Sequence, residues 1–249
     1  MRLVSTIVPR LAAAAALLIT ATGLAHAQVN IGALEVSIGQ DFNTLASSGT
    51  SSATPTGWSF LELLGSANTT YTAGTGSSTT GDTYSFGAAG SGERAFGELR
   101  SGSVTTILGA QFVNGTLSTI GGFDIAYTGE QWRRGGGTGA DHMDFQYSLD
   151  ATSLNTGTWA DINSLDFDSP TLGAAAALDG NAAANRGARS GSASLLTIAP
   201  GATFWIRWTD TDITGSDDGL AVDDFSITAH EAPVPTLPVT LGHLKAIYR

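Results

Sequence analysis

Short apolar runs alternating with polar residues fill the chain from residue 58 to residue 227, and no stretch keeps a helical period for more than a few residues. Residues 119–133 alternate most clearly. Phe123, Ile125 and Tyr127 fall on one side of an extended chain, and Asp124, Ala126 and Thr128 on the other. Residues 143–150 repeat the pattern with Met143, Phe145, Tyr147 and Leu149 inward. Residues 203–211 set Phe204, Ile206 and Trp208 against Trp205 and Arg207. Strands are also predicted at 58–64, 83–86, 94–99, 105–113, 159–162, 165–167, 189–198 and 220–227.

Turn chemistry separates these runs: Pro55-Thr56-Gly57, Asn114-Gly115, the glycine loop at 135–141 and Ala199-Pro200-Gly201-Ala202. Residues 28–57 read as an irregular lead-in anchored by Phe42 and Leu45, and 151–185 as a long loop with helical turns at 174–177 and 182–184. Many short strands at this spacing imply an all-β fold, an antiparallel two-sheet β-sandwich resembling a jelly roll, over residues 28–229. The last run breaks phase. Leu220 and Val222 share one face, Phe225 and Ile227 the other. An extra residue at Asp223-Asp224, a bulge, restores a single apolar face, and burial of both faces is the alternative.

The two ends read differently from the body. Met1-Arg2 with Arg10, the apolar stretch 11–19 and Ala25-His26-Ala27 make a secretory leader over residues 1–27, too short to span a bilayer. The mature chain then begins at Gln28 and is secreted or associated with the cell envelope, with no stable membrane span. Residues 230–249 carry Pro233, Pro235 and Pro238, which ends sheet pairing and predicts a disordered tail.

Composition sharpens the class. Cysteine is absent, which excludes thiol catalysis, cysteine-type zinc sites and haem attachment. Loss of Arg2 and Arg10 with the leader leaves nine basic residues against 22 acidic ones, a net charge of −13. Such a surface repels nucleic acid, which is therefore not an expected partner.

Gly129-Glu130-Gln131-Trp132-Arg133, the run 145–150, and Trp205-Ile206-Arg207-Trp208 leading into 217–225 resemble the β-sandwich of exported Gram-negative proteins with PEP-CTERM or VPTL-type sorting signals. Residues 232–238 resemble the start of such a signal, but the apolar helix that follows it in those families is missing here. The resemblance implies an exported sandwich. Related sandwiches serve as accessory domains of extracellular enzymes and as carbohydrate-binding modules.

Six aspartates between Asp210 and Asp224 are the most chemical feature of the chain. Carboxylates this dense repel one another unless solvated or bridged by a hard cation such as Ca²⁺. Asp210-x-Asp212-x-Thr214-Gly215 opens like an EF-hand, yet Ala221 stands where its bidentate glutamate belongs. By resemblance to jelly-roll binding modules, a structural Ca²⁺ ties an acid near the first strand to one on the last, here Asp41 with Asp223 or Asp224. A solvated acidic loop is the alternative. For a sugar, Trp132 with Tyr127, Glu130 and Arg133 offers an aromatic platform edged by polar groups. Trp132 as a core filler is the competing reading.

Catalysis finds little support. Glu93 and Glu98 are oddly spaced and so point to opposite faces of one strand, and G-x-S-x-G and H-E-x-x-H are absent. The expectation is a secreted, non-enzymatic sandwich with a structural role or one in contact with polysaccharide or an exopolymer matrix. The alternatives are a carbohydrate-binding module with structural calcium, and an extracellular hydrolase.

Overall fold

The computed structural model describes residues 27–233. The predicted leader (all but Ala27) and the tail beyond Pro233 lie outside the described residues. Within them the chain forms sixteen strands, β1–β16 in chain order, and one 3-10 turn at Asn163–Leu165. The fold is all-β, two mixed but mostly antiparallel sheets packed as a sandwich. No helix among the described residues is long and apolar enough to cross a membrane.

Sheet 1 contains β1 (Val29–Ile31), β4 (Trp58–Leu63), β8 (Thr105–Asn114), β10 (His142–Ser148), β11 (Ala160–Asp161), β12 (Phe167–Asp168) and β15 (Thr203–Thr211). Its centre runs β8-β15-β10, with β1 and β4 on β8 and the short β11 and β12 on β10. Sheet 2 contains β2 (Ser37–Gln40), β3 (Thr50–Ser51), β5 (Tyr71–Gly74), β6 (Asp82–Phe86), β7 (Ala95–Leu99), β9 (Ile120–Arg134), β13 (Ala176–Ala177), β14 (Arg186–Ile198) and β16 (Gly219–Glu231). Here β16 lies between β9 on one side and β7 and β2 on the other. The chain β7-β6-β5-β3 continues to one edge, while β13 and β14 border β9.

The sheets are not wholly antiparallel. The β1–β8 and β5–β6 pairs run parallel. Three strands also lie where an irregular lead-in is expected, because β1, β2 and β3 borrow partners distant in sequence and are too short to announce themselves by alternation. Ala176–Ala177 pairs with Arg133 and Arg134 as a strand and not as a helical turn.

The predicted alternation fills the space between the sheets. Trp58, Phe112, Phe145, Phe204 and Trp208 enter it from sheet 1, and Phe96, Phe123, Ile125, Val222 and Phe225 from sheet 2. Rings meet across the gap: Trp58 with Phe225 at 5.1 Å, Phe123 with Phe204 at 5.3 Å, and Tyr127 with Trp208 at 5.3 Å. Leu149 and Leu64 escape the pattern and are exposed, Leu64 with a positive φ of 78° that turns the chain out of β4.

The phase break is a bulge. The register of β16 against β9 shifts between Asp223 and Ser226, and Asp224 sits at φ 48°. Leu220, Val222, Phe225 and Ile227 thereby all enter one core. The strand runs on to Glu231, two residues past the boundary drawn from the prolines. The His230 ring there contacts Glu35 and Asp124 at 2.8 and 3.0 Å. Two smaller clusters cover the outer faces. Ile107, Leu154 and Trp205 pack outside sheet 1, and Tyr84, Phe86 and Trp132 outside sheet 2.

Candidate binding and cation sites

The residues expected to form a sugar platform do not form one. Tyr127 points into the core, where its hydroxyl donates to the Leu165 carbonyl at 2.5 Å. Trp132, an odd number of residues later, points to the opposite face and is 1% exposed, stacked on Phe86 at 6.0 Å. Its indole N–H donates to Glu130 at 2.8 Å. Leu178 hydrogen-bonds the Trp132 carbonyl, and Gly180 presses on the indole, so a loop covers the ring. Arg133 is partly exposed and donates to the Gly76 carbonyl at 3.1 Å. The period-2 geometry of a strand separates Tyr127 from Trp132, and the covering loop removes Trp132 from solvent.

Of the pairs expected to hold calcium, Asp41 and Asp224 come together: both are exposed and border one open depression with Gln40, Thr44 and Thr56. Asp223 turns into a separate group on the outer face of sheet 2, with Glu93 and Glu130, where one oxygen from each lies within 4.8 Å of the others. Burial pushes Glu130 up to about 7 and Asp223 up to about 8. The Glu130–Trp132 hydrogen bond and one from Asn181 to Glu93 tie this group to the covering loop.

A denser group closes one end of the space between the sheets. On β7, Phe96 points inward, and so does Glu98 two residues on. On β15, Trp208 is followed by Asp210, and ahead of β10, Met143 is preceded by Asp141. Asp217, just before β16, completes the set. One oxygen from each of Asp141, Asp210 and Asp217 lies within 4.8 Å of the others, and Glu98 lies beside Asp210. Glu98 is 1% exposed and Asp210 7%. Burial pushes Asp210 up to about 8, Asp141 up to about 6, and Glu98 well above the usual range. Sequence reading weighed Glu98 only as a catalytic acid with Glu93 and left Asp141 in the glycine loop. For Asp141 the signal was present, because it continues the inward phase of Met143 and Phe145.

A third group is half-buried. The His142 ring lies 2.7 Å from Asp168 and 3.0 Å from Asp144, with Asp166 at 3.9 Å. These carboxylates raise the imidazole pKa against the opposing effect of its own burial, and Asp166 also anchors the Phe145 N–H at 2.8 Å.

The outer face of sheet 1 holds a cleft of 390 Å³. Trp205 lines it, with Gln111 directly across the strand pair, and Ser59, Leu154, Asn155 and Gln28 supply further lining. The Trp205 indole nitrogen is buried and has no hydrogen-bond partner. One wall is held in place by Arg207, which donates to the Leu154 carbonyl at 2.7 Å and to Gln146 at 2.8 Å, and stacks on Trp159 at 3.9 Å.

No family model and no curated protein matches this chain. Solved structures similar to it include TmCBM61 in complex with beta-1,4-galactotriose, at 13% identity and a TM-score of 0.31, covering 57% of this chain and 74% of that one. The K3 cleaved adhesin domain of Lys-gingipain from Porphyromonas gingivalis aligns at 16% identity and a TM-score of 0.42, covering 70% and 93%. The CBM22-1–GH10 modules of a Clostridium thermocellum xylanase, complexed with xylohexaose, align at 14% and 0.33, covering 74% and 28%. The likeness is one of β-sandwich architecture.

Proposed function

We propose that the protein is a non-catalytic binding module that works after export and takes a polysaccharide chain in the Trp205 cleft. The observation that carries this reading is the lining of that cleft, in which Trp205 and Gln111 lie directly across a strand pair beside the polar side chains of Gln28, Ser59 and Asn155. The indole nitrogen of Trp205 is itself closed off, so the ring supplies apolar surface and the amides and the hydroxyl supply the hydrogen bonds. Sugars present C–H faces to aromatic rings and hydroxyls to amides. Trp205 with Gln111, Gln28, Asn155 and Ser59 supplies both kinds of partner.

The described lining contains no carboxylate and no histidine, which supports binding over hydrolysis, since glycoside cleavage needs two opposed carboxyl groups. The Arg207 contacts support a wall that is in place before a ligand arrives.

The test is a glycan array on the mature protein, followed by calorimetry with the retained glycan. Gln111→Ala removes one amide from the lining and is expected to weaken binding roughly two- to tenfold. A protein that retains no glycan, or a Gln111→Ala variant that binds as well as the parent, refutes the reading.

A further inference from the structure

We propose that Asp141, Asp210 and Asp217, with Glu98 behind Asp210, hold one calcium ion inside the end of the sandwich. The first support is a deficit of partners. Both carboxylate oxygens of Glu98 and both of Asp210 are buried with no hydrogen bond to any protein donor. Glu62 and Asp218, two other buried carboxylates, are treated differently, while Asp223 and Glu93 on the outer face of sheet 2 each keep one unpartnered oxygen. Glu62 accepts from the backbone N–H groups of Asn68 and Thr83 and from both of their side chains, at 2.8 to 3.0 Å. Asp218 accepts from Arg134, Gln131 and the Gly135 N–H. The fold therefore supplies donors where a buried acid is to be satisfied by protein, and supplies none to the four oxygens of Glu98 and Asp210.

Charge points the same way. Two arginines approach the group, and both are engaged on its margins. Arg134 is spent on Asp218 and the Gly137 carbonyl, and Arg100 on Asp212, Thr105 and the Asp210 carbonyl. Neither donates to the carboxylate oxygens of Glu98 or Asp210. A small, mobile cation is the natural counter-charge.

Chemistry selects the ion. Every ligand is a carboxylate oxygen, which suits a hard cation and not zinc or copper. Oxygens on opposite sides of a calcium ion stand roughly 5 Å apart, given Ca–O distances of about 2.3–2.6 Å. One oxygen from each of the three aspartates lies within 4.8 Å of the others, close enough for a single ion to bridge them. Magnesium draws its ligands to about 2.1 Å and keeps more of its water, which a site this buried does not favour. Access exists beside Asp217, which with Ser216 and Arg100 lines a depression of 220 Å³. This site differs from the Asp41–Asp224 depression expected from sequence, and it shares no residue with the Trp205 cleft.

The experiment uses the mature protein stripped with chelator, and CaCl₂ as the probe, in calorimetry and thermal unfolding. The expected result is uptake of calcium with a rise in Tm of roughly 5–10 °C at a hundredfold excess over Kd. Asp217→Asn, which keeps an amide oxygen to accept the Ile213 N–H, and Asp210→Asn should each weaken that uptake at least tenfold. Asp41→Asn and Asp224→Asn should leave it in place. No calcium uptake by the parent protein overturns the proposal, as does full uptake by Asp217→Asn. Equal affinity for MgCl₂, or loss of uptake in Asp224→Asn alone, also overturns it. If Asp210→Asn does not fold, Asp217→Asn decides the question.

Discussion

Asp82 shows how a single carboxyl can write itself into the stability of the whole chain. Burial, aided by the neighbouring Glu62, pushes it up to about 6, although Thr72 donates to it at 2.5 Å. The unfolded chain releases that proton near 3.8, and the folded chain keeps it until about 6. Between these values the native state binds more protons than the unfolded one, so the Asp82 contribution to stability falls as pH rises from about 4 to about 6 and is constant above. Urea unfolding of the calcium-free protein across this window should show a shallower decline for Asp82→Asn than for the parent. Parallel curves would dissociate the decline from Asp82. Gly76 makes a steric argument of the same local kind. It sits at φ 75°, and an added Cβ would meet the Trp132 carbonyl at 1.8 Å. Gly76→Ala should therefore cost about 2–4 kcal/mol, measured by denaturant midpoint. Nothing in the sequence near Gly76 announces this, because the carbonyl it presses on is 56 residues away in the chain. Phe145 and Trp208, by contrast, were legible as core from alternation alone. Glu98 and Asp210 obeyed the same alternation, yet Asp210 reads as part of an acidic loop and Glu98 as a catalytic candidate, since inward carboxylates contradict the rule that makes the pattern readable.

Strands with strong period-2 patterns, β9, β10 and β15, lie where the sequence puts them, because each buries one full face. β1, β2, β3 and β13 were not readable. Each has four residues or fewer and is created by its partner's edge, a tertiary effect that local propensity does not contain. The β16 bulge is the instructive case. Two mispaired apolar faces in the sequence required one extra residue, and the structure spends it at Asp224. That residue adopts a left-handed conformation tolerated by Asp and Asn and resisted by branched side chains. Asp224→Gly should keep or raise Tm, and Asp224→Val should lower stability by about 1–2 kcal/mol. If both variants melt together, the left-handed geometry is not what fixes the bulge. The Trp132 platform failed at this same scale. Period 2 already placed Tyr127 and Trp132 on opposite faces, and only the loop at 178–185, with no pattern of its own, decided that the indole is covered.

At the scale of the molecule, the two sheets meet in an aromatic core capped at one end by carboxylates. β16 occupies the middle of sheet 2, yet it is the final strand of the described chain. Until residues 219–231 arrive, β9 and β7 have no common neighbour, and Leu220, Val222 and Phe225 are missing from the core. A sandwich whose keystone is the last of its described strands cannot settle before that strand is made, and its folding is slow in proportion to the loops that strand must close.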